Sequence, residues 1–286
     1  MANETTVSSL NDLLPSIVAE ALFVASEKSI MRGLVRNYTL NAGQGNTVTV
    51  PIYPTQTAAT LNEGIAPSYT EITTSGATLT VAEVGLTAQI SDLAIMSSST
   101  NVISDIGRLF GEAIARKMDA DLMVLFNSFS GTVGGVSTTA TAALLFQAIA
   151  KLRANGYDTA NDCAIVLHPS VAYDVASTLT STFAAPASQI GNDALRNGFM
   201  GTLGGVPVYQ SSLVPQSTLS SNASGDYGCG VFHKDALGLA MMQDIRIESQ
   251  REATKRGFDL VGSAIYGVGE LYDGAGILAT FDSTIV

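Results

Sequence analysis

The sequence contains few of the residues from which catalytic and nucleic-acid-binding sites are built. Its 286 residues include no Trp, two Cys and two His, and charged residues make up only 14%. The formal net charge is −11, which disfavours tight binding of nucleic acid, because several Lys or Arg are needed to neutralise phosphates. The two cysteines form no disulfide framework, and they fit a reducing compartment or simple burial.

Basic residues are missing from the whole stretch between Arg36 and Arg108, and residues 41–82 carry only two charges, Glu63 and Glu71. The stretch is rich in Thr and in β-branched residues. A weakly charged, β-prone segment of this kind stays soluble with difficulty as a free hairpin. We therefore expect another copy of the chain to cover it.

Signals for secretion and for membrane insertion are also missing from the sequence. The first residues lack the basic start of a signal peptide, and no run reaches the roughly 18 apolar residues of a membrane-spanning helix. We expect a protein that is made and kept in soluble form, with no membrane partner.

The N-terminal residues 8–36 carry apolar side chains at helical spacing, which predicts a helical arm. Lys28, Arg32 and Arg36 gather toward the C-terminal end of this helix, where its dipole favours cations. The cluster of Asn and Gly at residues 41–45 is expected to end the arm.

A projecting hairpin is predicted next. Residues 47–52 and 79–84 alternate between apolar and polar side chains, which indicates two strands. The excursion at residues 53–76 is longer than an ordinary loop and too polar to have a core of its own. Such a segment is usually functional or docked on a partner.

The clearest helix spans residues 101–129 and would be about 43 Å long. Arg116, Lys117, Asp119 and Asp121 are assigned to its wetter face. The glycines that follow this helix, at residues 131–135, are expected to break the chain. The remaining predicted elements are helices at 141–155, 169–179 and 193–197 and strands at 163–167, 206–209, 229–232, 245–248, 260–266 and 277–281.

Two Cys–His pairs could suggest a zinc site, but their spacing argues against one. Cys163 and His168 are five residues apart on a predicted strand and so point to opposite faces. Neither this pair nor Cys229 with His233 has the spacing of a zinc finger. We favour buried thiols and partly exposed histidines, and we expect no metal, no cofactor and no catalytic site.

Motifs for other chemistries are weak. The sequence has no Gly-x-Ser-x-Gly elbow for a serine hydrolase. The glycines of 267–269 lack the third glycine of a dinucleotide-binding loop, so a turn is favoured there. A basic group at Arg246, Arg251, Lys255 and Arg256 is interleaved with acidic residues. It indicates a solvated, salt-bridged turn, and the alternative is charge pairing across a subunit boundary.

Six segments follow one another in a characteristic order. They are TVTVP at 47–51, EG at 63–64, EAIARKMD at 112–119, VLHPS at 166–170, LGGVPV at 203–208 and FHKDALG at 232–238. This ordered set resembles the major capsid proteins of tailed bacteriophages, which have the Hong Kong 97-like fold. The resemblance covers nearly the whole chain and lies in the order of the segments, since no single segment is diagnostic.

The resemblance implies an α+β fold with an N-arm, an extended β-hairpin loop, a long spine helix and peripheral and axial domains. The implied divisions are the arm at 1–45, the extended loop hairpin with its flanking strands at 46–95, the peripheral domain with the spine helix at 96–157, the axial domain at 158–245 and the closing strands of the peripheral domain at 246–286. Some members of the family cross-link through a Lys on the extended loop. This chain has none there, so we expect no such cross-link.

The resemblance also implies a function, which is not enzymatic. The protein would self-assemble as hexamers and pentamers into the icosahedral head shell of a tailed phage and enclose double-stranded DNA without binding it specifically. Portal, scaffolding and decoration proteins are the implied partners, and the virion is the implied location after synthesis in the host cytoplasm. An encapsulin-like nanocompartment shell and a soluble α/β enzyme are the alternatives. Inter-subunit contacts are expected at Leu14, Ile17, Leu22, Tyr53, Glu63, Tyr69, Glu71, Arg251 and Arg256.

Overall fold

Strands outweigh helices in the part of the chain that the structure describes. The computed structural model describes residues 29–41, 43, 45–53, 58, 60, 71–97, 102–159, 162–182, 201–218 and 225–285. The helices are α1 (Asp92–Ser97), α2 (Val102–Val124), α3 (Ala142–Ala154) and α4 (Pro169–Thr182), and 3₁₀ turns lie at Met31–Gly33, Leu125–Ser128 and Asp273–Ala275. The strands are β1 (Arg36–Thr39), β2 (Thr47–Ile52), β3 (Ser75–Thr80), β4 (Ala82–Ser91), β5 (Gly131–Thr139), β6 (Cys163–Leu167), β7 (Thr202–Leu203), β8 (Val206–Gln210), β9 (Asp226–His233), β10 (Leu237–Glu252), β11 (Gly257–Glu270) and β12 (Gly276–Asp282).

One sheet contains β1, β10, β11 and β4 in that spatial order. β1 runs parallel to β10, and the other two pairings are antiparallel. The helix α2 packs on this sheet, and Phe110 comes so close to Gly262 that a Cβ there would lie 2.6 Å from the ring. The missing side chain of Gly262 therefore lets the helix approach β11.

The second large sheet has six strands in the order β5-β12-β9-β6-β8-β7. All five residues of β6 are buried, which is typical of a strand covered on both faces. The helix α3 packs against β5, β9 and β12, and α4 packs against α3. Most of the main hydrophobic core lies between these elements and α2.

The long helix forms as its periodicity predicts, but it ends before residue 129. Phe110, Ile114, Met118 and Leu122 follow one another at four-residue intervals, and all are buried. The 23 residues of α2 span about 34 Å. A 3₁₀ turn then follows, and it directs Phe126 and Phe129 into the same core, with ring centroids 6.2 Å apart. Shared packing of these two rings ends the α-helix early.

The predicted helix at 141–155 is confirmed as α3, and the structure shows how its two ends are capped. The Thr141 hydroxyl accepts a hydrogen bond from Leu144 N at 3.4 Å. Gly156 follows the helix with φ +90°, the left-handed conformation that favours glycine after a helix end. The predicted strands from 163–167 to 277–281 also lie within β6, β8, β9, β10, β11 and β12.

The prediction that residues 131–135 break the chain is wrong, because they form the first half of β5. In the parallel ladder, Gly131 pairs with Ile277 and Gly134 pairs with Thr280. Gly134 has φ +77°, and a Cβ there would lie 2.3 Å from the Thr280 carbonyl oxygen. The glycines therefore permit close pairing with β12.

The predicted turn at residues 267–269 is also wrong, because these residues lie inside β11. A Cβ at Gly267 would lie 2.2 Å from the Thr80 carbonyl oxygen. Glycine is present there because the end of β3 passes close to the backbone of β11.

The described part of the predicted arm is not a continuous helix, and residues 8–28 lie outside the described residues. Met31–Gly33 forms one 3₁₀ turn, and Arg36 opens β1 although the spacing predicts helix through that residue. Pairing with β10 supplies the backbone hydrogen bonds that a helix would otherwise make. Arg36 also forms an ion pair with Asp235. Its charge is therefore balanced by a carboxylate and not by the C-terminal end of a helix.

The division into peripheral and axial domains stays a prediction. Its boundary at residue 245 falls inside β10, and β12 pairs with β9 although it was grouped with the closing strands. The short helix predicted at 193–197 lies outside the described residues. None of the described helices is long and apolar enough to cross a membrane.

Candidate assembly surface

The hairpin β2–β3 is a two-stranded sheet that is separate from the two larger sheets. Its register runs from Thr47 opposite Thr80 at the root to Ile52 opposite Ser75 at the far end. Alternate residues of β2 are exposed along its whole length, as the period-two pattern predicts. The predicted strand at 47–52 is therefore confirmed as β2, whereas residues 79–84 cover only the end of β3 and the start of β4, on either side of Val81.

Among the described residues of the two hairpin strands, only Leu79, near the root, is buried, and Val48, Val50 and Ala77 pack partly buried against its cluster. Leu79 is fully buried there, in a small cluster that is separate from the main core. The members of this root cluster are Leu40, Leu79, Val81, Ala240 and Leu271. A two-stranded hairpin is marginally stable by itself. The root cluster therefore holds the hairpin on the end of the four-stranded sheet.

The far end of the hairpin exposes apolar side chains. Tyr53 is 66% exposed and Ile72 is 59% exposed, and Glu71 is also exposed. Large apolar side chains left open to solvent are typical of a surface that another protein covers. The other contact residues predicted for the arm and the loop lie outside the described residues; they are Leu14, Ile17, Leu22, Glu63 and Tyr69.

A buried carboxylate fastens the described end of the arm to the long helix. Asp119 is 3% exposed, and it accepts hydrogen bonds from Ser29 Oγ at 2.7 Å, Ile30 N at 2.8 Å and Met31 N at 3.2 Å. Burial raises the pKa of Asp119, and these three donors oppose the rise. These hydrogen bonds attach residues 29–31, at the described end of the arm, to α2.

The assignment of Asp119 to the wetter face of the helix is wrong. Ala115 lies four residues before it and Leu122 three residues after it, and both are buried. Residues at these spacings share one helix face. The sequence therefore contained the signal that Asp119 belongs to the apolar face. Arg116 and Lys117, assigned with it, are exposed.

The basic group at the end of the β10–β11 hairpin forms the predicted salt-bridged turn. The Arg251 guanidinium donates to both carboxylate oxygens of Asp92, at 3.2 and 3.0 Å, and lies 4.8 Å from the centroid of the Phe258 ring. Lys255 lies 3.8 Å from Asp259. The charge of Arg251 is therefore paired with Asp92 of the same chain.

Arg256 differs from its basic neighbours. It is exposed and has φ +49°, a left-handed conformation that costs a non-glycine residue about 1 kcal/mol. Its carbonyl oxygen accepts a hydrogen bond from Asp92 N at 2.9 Å, which helps to hold this conformation. Of the two arginines predicted to contact a neighbour, Arg256 lies open at the turn and Arg251 is engaged with Asp92.

The structure places the two predicted contact surfaces at opposite ends of the four-stranded sheet. Ala82, next to the hairpin root, pairs with Tyr266, and Ser91 pairs with Gly257 beside the basic turn. The ten residues of β4 separate the two surfaces by about 30 Å. One subunit thus presents two separate surfaces, which suits contacts with more than one neighbour.

The cysteines and histidines do not assemble a metal centre in the part of the chain that the structure describes, where no group of three or more Cys, His, Asp or Glu side chains could hold an ion. Both thiols are buried, which raises the pKa of Cys163 to about 11 and that of Cys229 to about 12. Thiols that stay protonated are poor nucleophiles and poor metal ligands.

His168 has a structural role at the start of α4. Its Nδ1 accepts a hydrogen bond from Ser170 N at 3.3 Å, and its ring stacks on Tyr227 with the centroids 3.7 Å apart. Desolvation lowers the pKa of His168 and so favours the neutral imidazole that this acceptor role requires.

A groove of about 600 Å³ lies on the four-stranded sheet, where β4, β10 and β11 meet. Its charged residues are Glu248, Lys255 and Asp259. Glu248 lies 2.8 Å from Arg246, and Lys255 lies 3.8 Å from Asp259. These charges belong to the ion pairs of the basic turn and do not converge on a reacting centre.

Comparison with known proteins gives a family match. A family model described as phage capsid protein matches residues 74–279 of the sequence. No curated protein matches the sequence.

Solved structures of phage particles have the same mixed α+β fold. The capsid structure of the cyanophage P-SCSP1u matches with a TM-score of 0.69 at 17% identity, over 90% of this chain and 89% of that chain. The structure from Mycobacterium phage Che8 matches with a TM-score of 0.67 at 17% identity, over 88% of this chain and 90% of that chain. The capsid of a native GTA particle matches with a TM-score of 0.69 at 14% identity, over 91% of both chains. These likenesses extend over nearly the whole fold.

Proposed function

Because this chain belongs to the phage capsid protein family, we propose that it is the major capsid protein of a tailed phage and self-assembles into the icosahedral head shell. Membership in this family implies a structural role and not a catalytic one. The strongest support for self-assembly is the β2–β3 hairpin, whose described strands bury only Leu79, near the root, and which exposes Tyr53 and Ile72 at its far end.

Assembly would depend on many weak contacts repeated around the shell. The extended loop and the arm of each subunit would lie on neighbouring copies, and the turn around Arg256 would contact a further copy. Contacts between unlike surfaces close into rings such as hexamers and pentamers. Many simultaneous contacts then hold the shell together although each one is weak.

Double-stranded DNA would be enclosed without being bound specifically. The net charge of −11 opposes adhesion to phosphates. Several of the described basic side chains already lie within 4 Å of a carboxylate in the same chain; they are Arg32, Arg36, Lys117, Arg246, Arg251 and Lys255. A shell built from such subunits would enclose DNA without binding it tightly.

The partners and the location follow from this role. Hexamers and pentamers of the protein would form the shell with portal, scaffolding and decoration proteins, after synthesis in the host cytoplasm. The finished protein would reside in the virion. The peripheral domain would contain α2 as the spine helix, and the axial domain would contain β6, β7, β8 and β9 of the six-stranded sheet.

Replacing residues 56–74 by a short turn tests the proposal. The root cluster lies outside the deleted segment, so we expect a folded subunit that no longer assembles. Circular dichroism reports the fold, and sedimentation with electron microscopy reports the shells. The control is Tyr173→Ser, which removes a tyrosine that is 58% exposed on α4 and leaves the hairpin unchanged.

Three results would contradict the proposal. The first is complete unfolding of the deletion variant, and the second is normal shells from it. The third is a wild-type protein that stays monomeric at high concentration and has a turnover activity. Shells that form but contain protein cargo in place of DNA would instead favour the encapsulin-like alternative.

A further inference from the structure

The start of β9 contains a buried carboxylate with a partner for only one of its two oxygens. Asp226 is fully buried, and its Oδ1 accepts a hydrogen bond from Ser137 N at 3.1 Å. Its Oδ2 is also buried, and within the described residues nothing donates to it. A buried carboxylate oxygen without a donor or a cation is costly. An unpartnered atom of this kind usually marks a bound ion or a buried water.

A second carboxylate lies directly opposite Asp226 in the sheet. Asp282 on β12 is its cross-strand partner in the antiparallel register. Ser283 N donates to the Gly225 carbonyl oxygen at 3.1 Å, so those two residues form a hydrogen-bonded pair and the aspartates form the next, non-hydrogen-bonded pair. Side chains of such a pair project from the same face with their Cβ atoms about 4.5–5.5 Å apart. Two like charges in this position destabilise the sheet.

The contact with Ser137 shows that the Asp226 side chain extends toward Asp282. Ser137 belongs to β5, and β12 lies between β5 and β9. The carboxylate of Asp226 must therefore lie over β12 to reach Ser137 N, on the face from which Asp282 projects. Residues 135–138 fall within a register shift of the β5–β12 ladder, so they can fold over this face. Asp282 is partly exposed, which leaves a path from solvent.

Neither aspartate has a positive charge to balance it. In the described ranges of the chain, no Lys, Arg or His lies within 4 Å of either carboxylate. The other two buried aspartates are satisfied differently. Asp119 accepts three hydrogen bonds, and Asp174 accepts from the Thr284 amide at 2.9 Å and from its hydroxyl. Asp226 is thus the exception among the three, and a bound cation would supply the charge it lacks.

The groups around the two aspartates are oxygen donors. Ser217 N donates to the Asp226 carbonyl oxygen at 3.0 Å, and the Ser217 hydroxyl lies 2.8 Å from that of Thr280. Thr280 precedes Asp282 by two residues on β12 and so shares its face. Carboxylate, hydroxyl and carbonyl oxygens select hard cations such as Mg²⁺ and Ca²⁺ over the metals that prefer thiolate or imidazole.

Burial distinguishes between these two cations. Mg²⁺ usually keeps several of its waters, whereas Ca²⁺ accepts six to eight oxygens at about 2.3–2.6 Å in flexible geometry. Asp226 is fully buried, so a hydrated ion has little room beside it. Two oxygens bound to one Ca²⁺ lie up to about 5 Å apart, twice the ligand distance. The cross-strand spacing of the two aspartates matches this separation.

We propose that Asp226 and Asp282 bind one Ca²⁺ ion, which joins the start of β9 to the end of β12. The ion would occupy the free side of Asp226 Oδ2 and remove the repulsion between the two carboxylates. No third Asp, Glu, His or Cys joins them in the described part of the chain, so hydroxyl and carbonyl oxygens and water would complete the shell. The site does not depend on the proposed assembly.

Calorimetric titration and thermal unfolding of the purified full-length protein, first freed of metal with EDTA, test the site near neutral pH. We expect one Ca²⁺ to bind per chain. The Tm should rise by roughly 5 °C when free Ca²⁺ exceeds its dissociation constant about a hundredfold. At the same concentration, Mg²⁺ should raise the Tm less.

Three variants locate the ion. Asp226→Asn and Asp282→Asn should each weaken Ca²⁺ binding by about tenfold or more, since the loss of an outer partner alone costs that much. Asp105→Asn removes an exposed carboxylate from α2 and should respond as the wild type does. In EDTA, Asp282→Asn should be at least as stable as the wild type, because the repulsion is gone. This variant therefore carries the test even if Asp226→Asn does not fold.

Three results would overturn the proposal. The first is a wild-type protein whose Tm does not respond to Ca²⁺. The second is a wild-type response in Asp282→Asn, which would place the ion elsewhere. The third is a response to Mg²⁺ that equals the response to Ca²⁺, because the buried pair would then not select the larger ion.

Discussion

The strands β6 and β2 are both short and rich in apolar residues, yet they have opposite environments. All five residues of β6 are buried, and β6 lies between β9 and β8 in the six-stranded sheet. Among the described strands β2 pairs with β3 alone, and every second residue of β2 is exposed. The chain therefore completes the core around β6 by itself, and it leaves the far end of the hairpin open.

The low charge content therefore has a different physical basis in each of the two regions. Around β6 the missing charges reflect burial, because an unpaired charge is costly in a core. In the hairpin the same shortage leaves exposed apolar side chains such as Tyr53 and Ile72. A count over the whole sequence cannot separate the two cases, whereas the burial of single residues does.

The largest expected effect comes from matched isoleucines in the two regions. Ile165→Ala in β6 removes a fully buried side chain and should lower the free energy of unfolding by about 2–5 kcal/mol. Ile72→Ala, at a position that is 59% exposed, should change it by about 0.5 kcal/mol or less. Chemical denaturation of the unassembled subunit measures both. Equal losses would remove the distinction between the two regions.

A smaller effect is expected where the arm joins α2. Asp119→Ala leaves three donors at residues 29–31 without their acceptor, so stability should fall by about 1–3 kcal/mol. Exchange of the Ile30 and Met31 amides should also become faster. Asp105→Ala removes an exposed carboxylate from the same helix and is the control. If both variants unfold at the same denaturant concentration, Asp119 does not anchor the arm.

The smallest effect concerns His168 and pH. Its pKa is lowered by desolvation, so its contribution is full above the pKa of the unfolded chain and is lost as the pH falls through the folded value. Protonation removes the acceptor for Ser170 N, which should cost about 1 kcal/mol, as the loss of an N-cap does.

Thermal unfolding at pH 5 and pH 8 measures this contribution. His168→Asn supplies an acceptor that does not titrate, so this variant should lose less stability at pH 5 than the wild type does. An identical acid response in the two proteins would show that the cap is not the titrating group.

Local patterns predicted the elements whose signals lie within one segment. Apolar spacing identified α3 to within a residue at each end, and alternation identified β2. The patterns failed where a distant strand decided the outcome. Gly134 forms part of a strand only because β12 lies beside it, and Arg36 opens a strand only because β10 offers a free edge. Asp119 was misassigned although the spacing of its buried neighbours was visible.

The sequence by itself determined the charge-poor hairpin, the amphipathic long helix and the ordered segments that resemble phage capsid proteins, because all of these are properties of neighbouring residues. Only the tertiary structure decided the order of the strands in the sheets, the burial of Asp119 and the pairing of Gly134 with Thr280. Those features depend on contacts between residues far apart in the chain, and no local periodicity encodes which distant segments will pair.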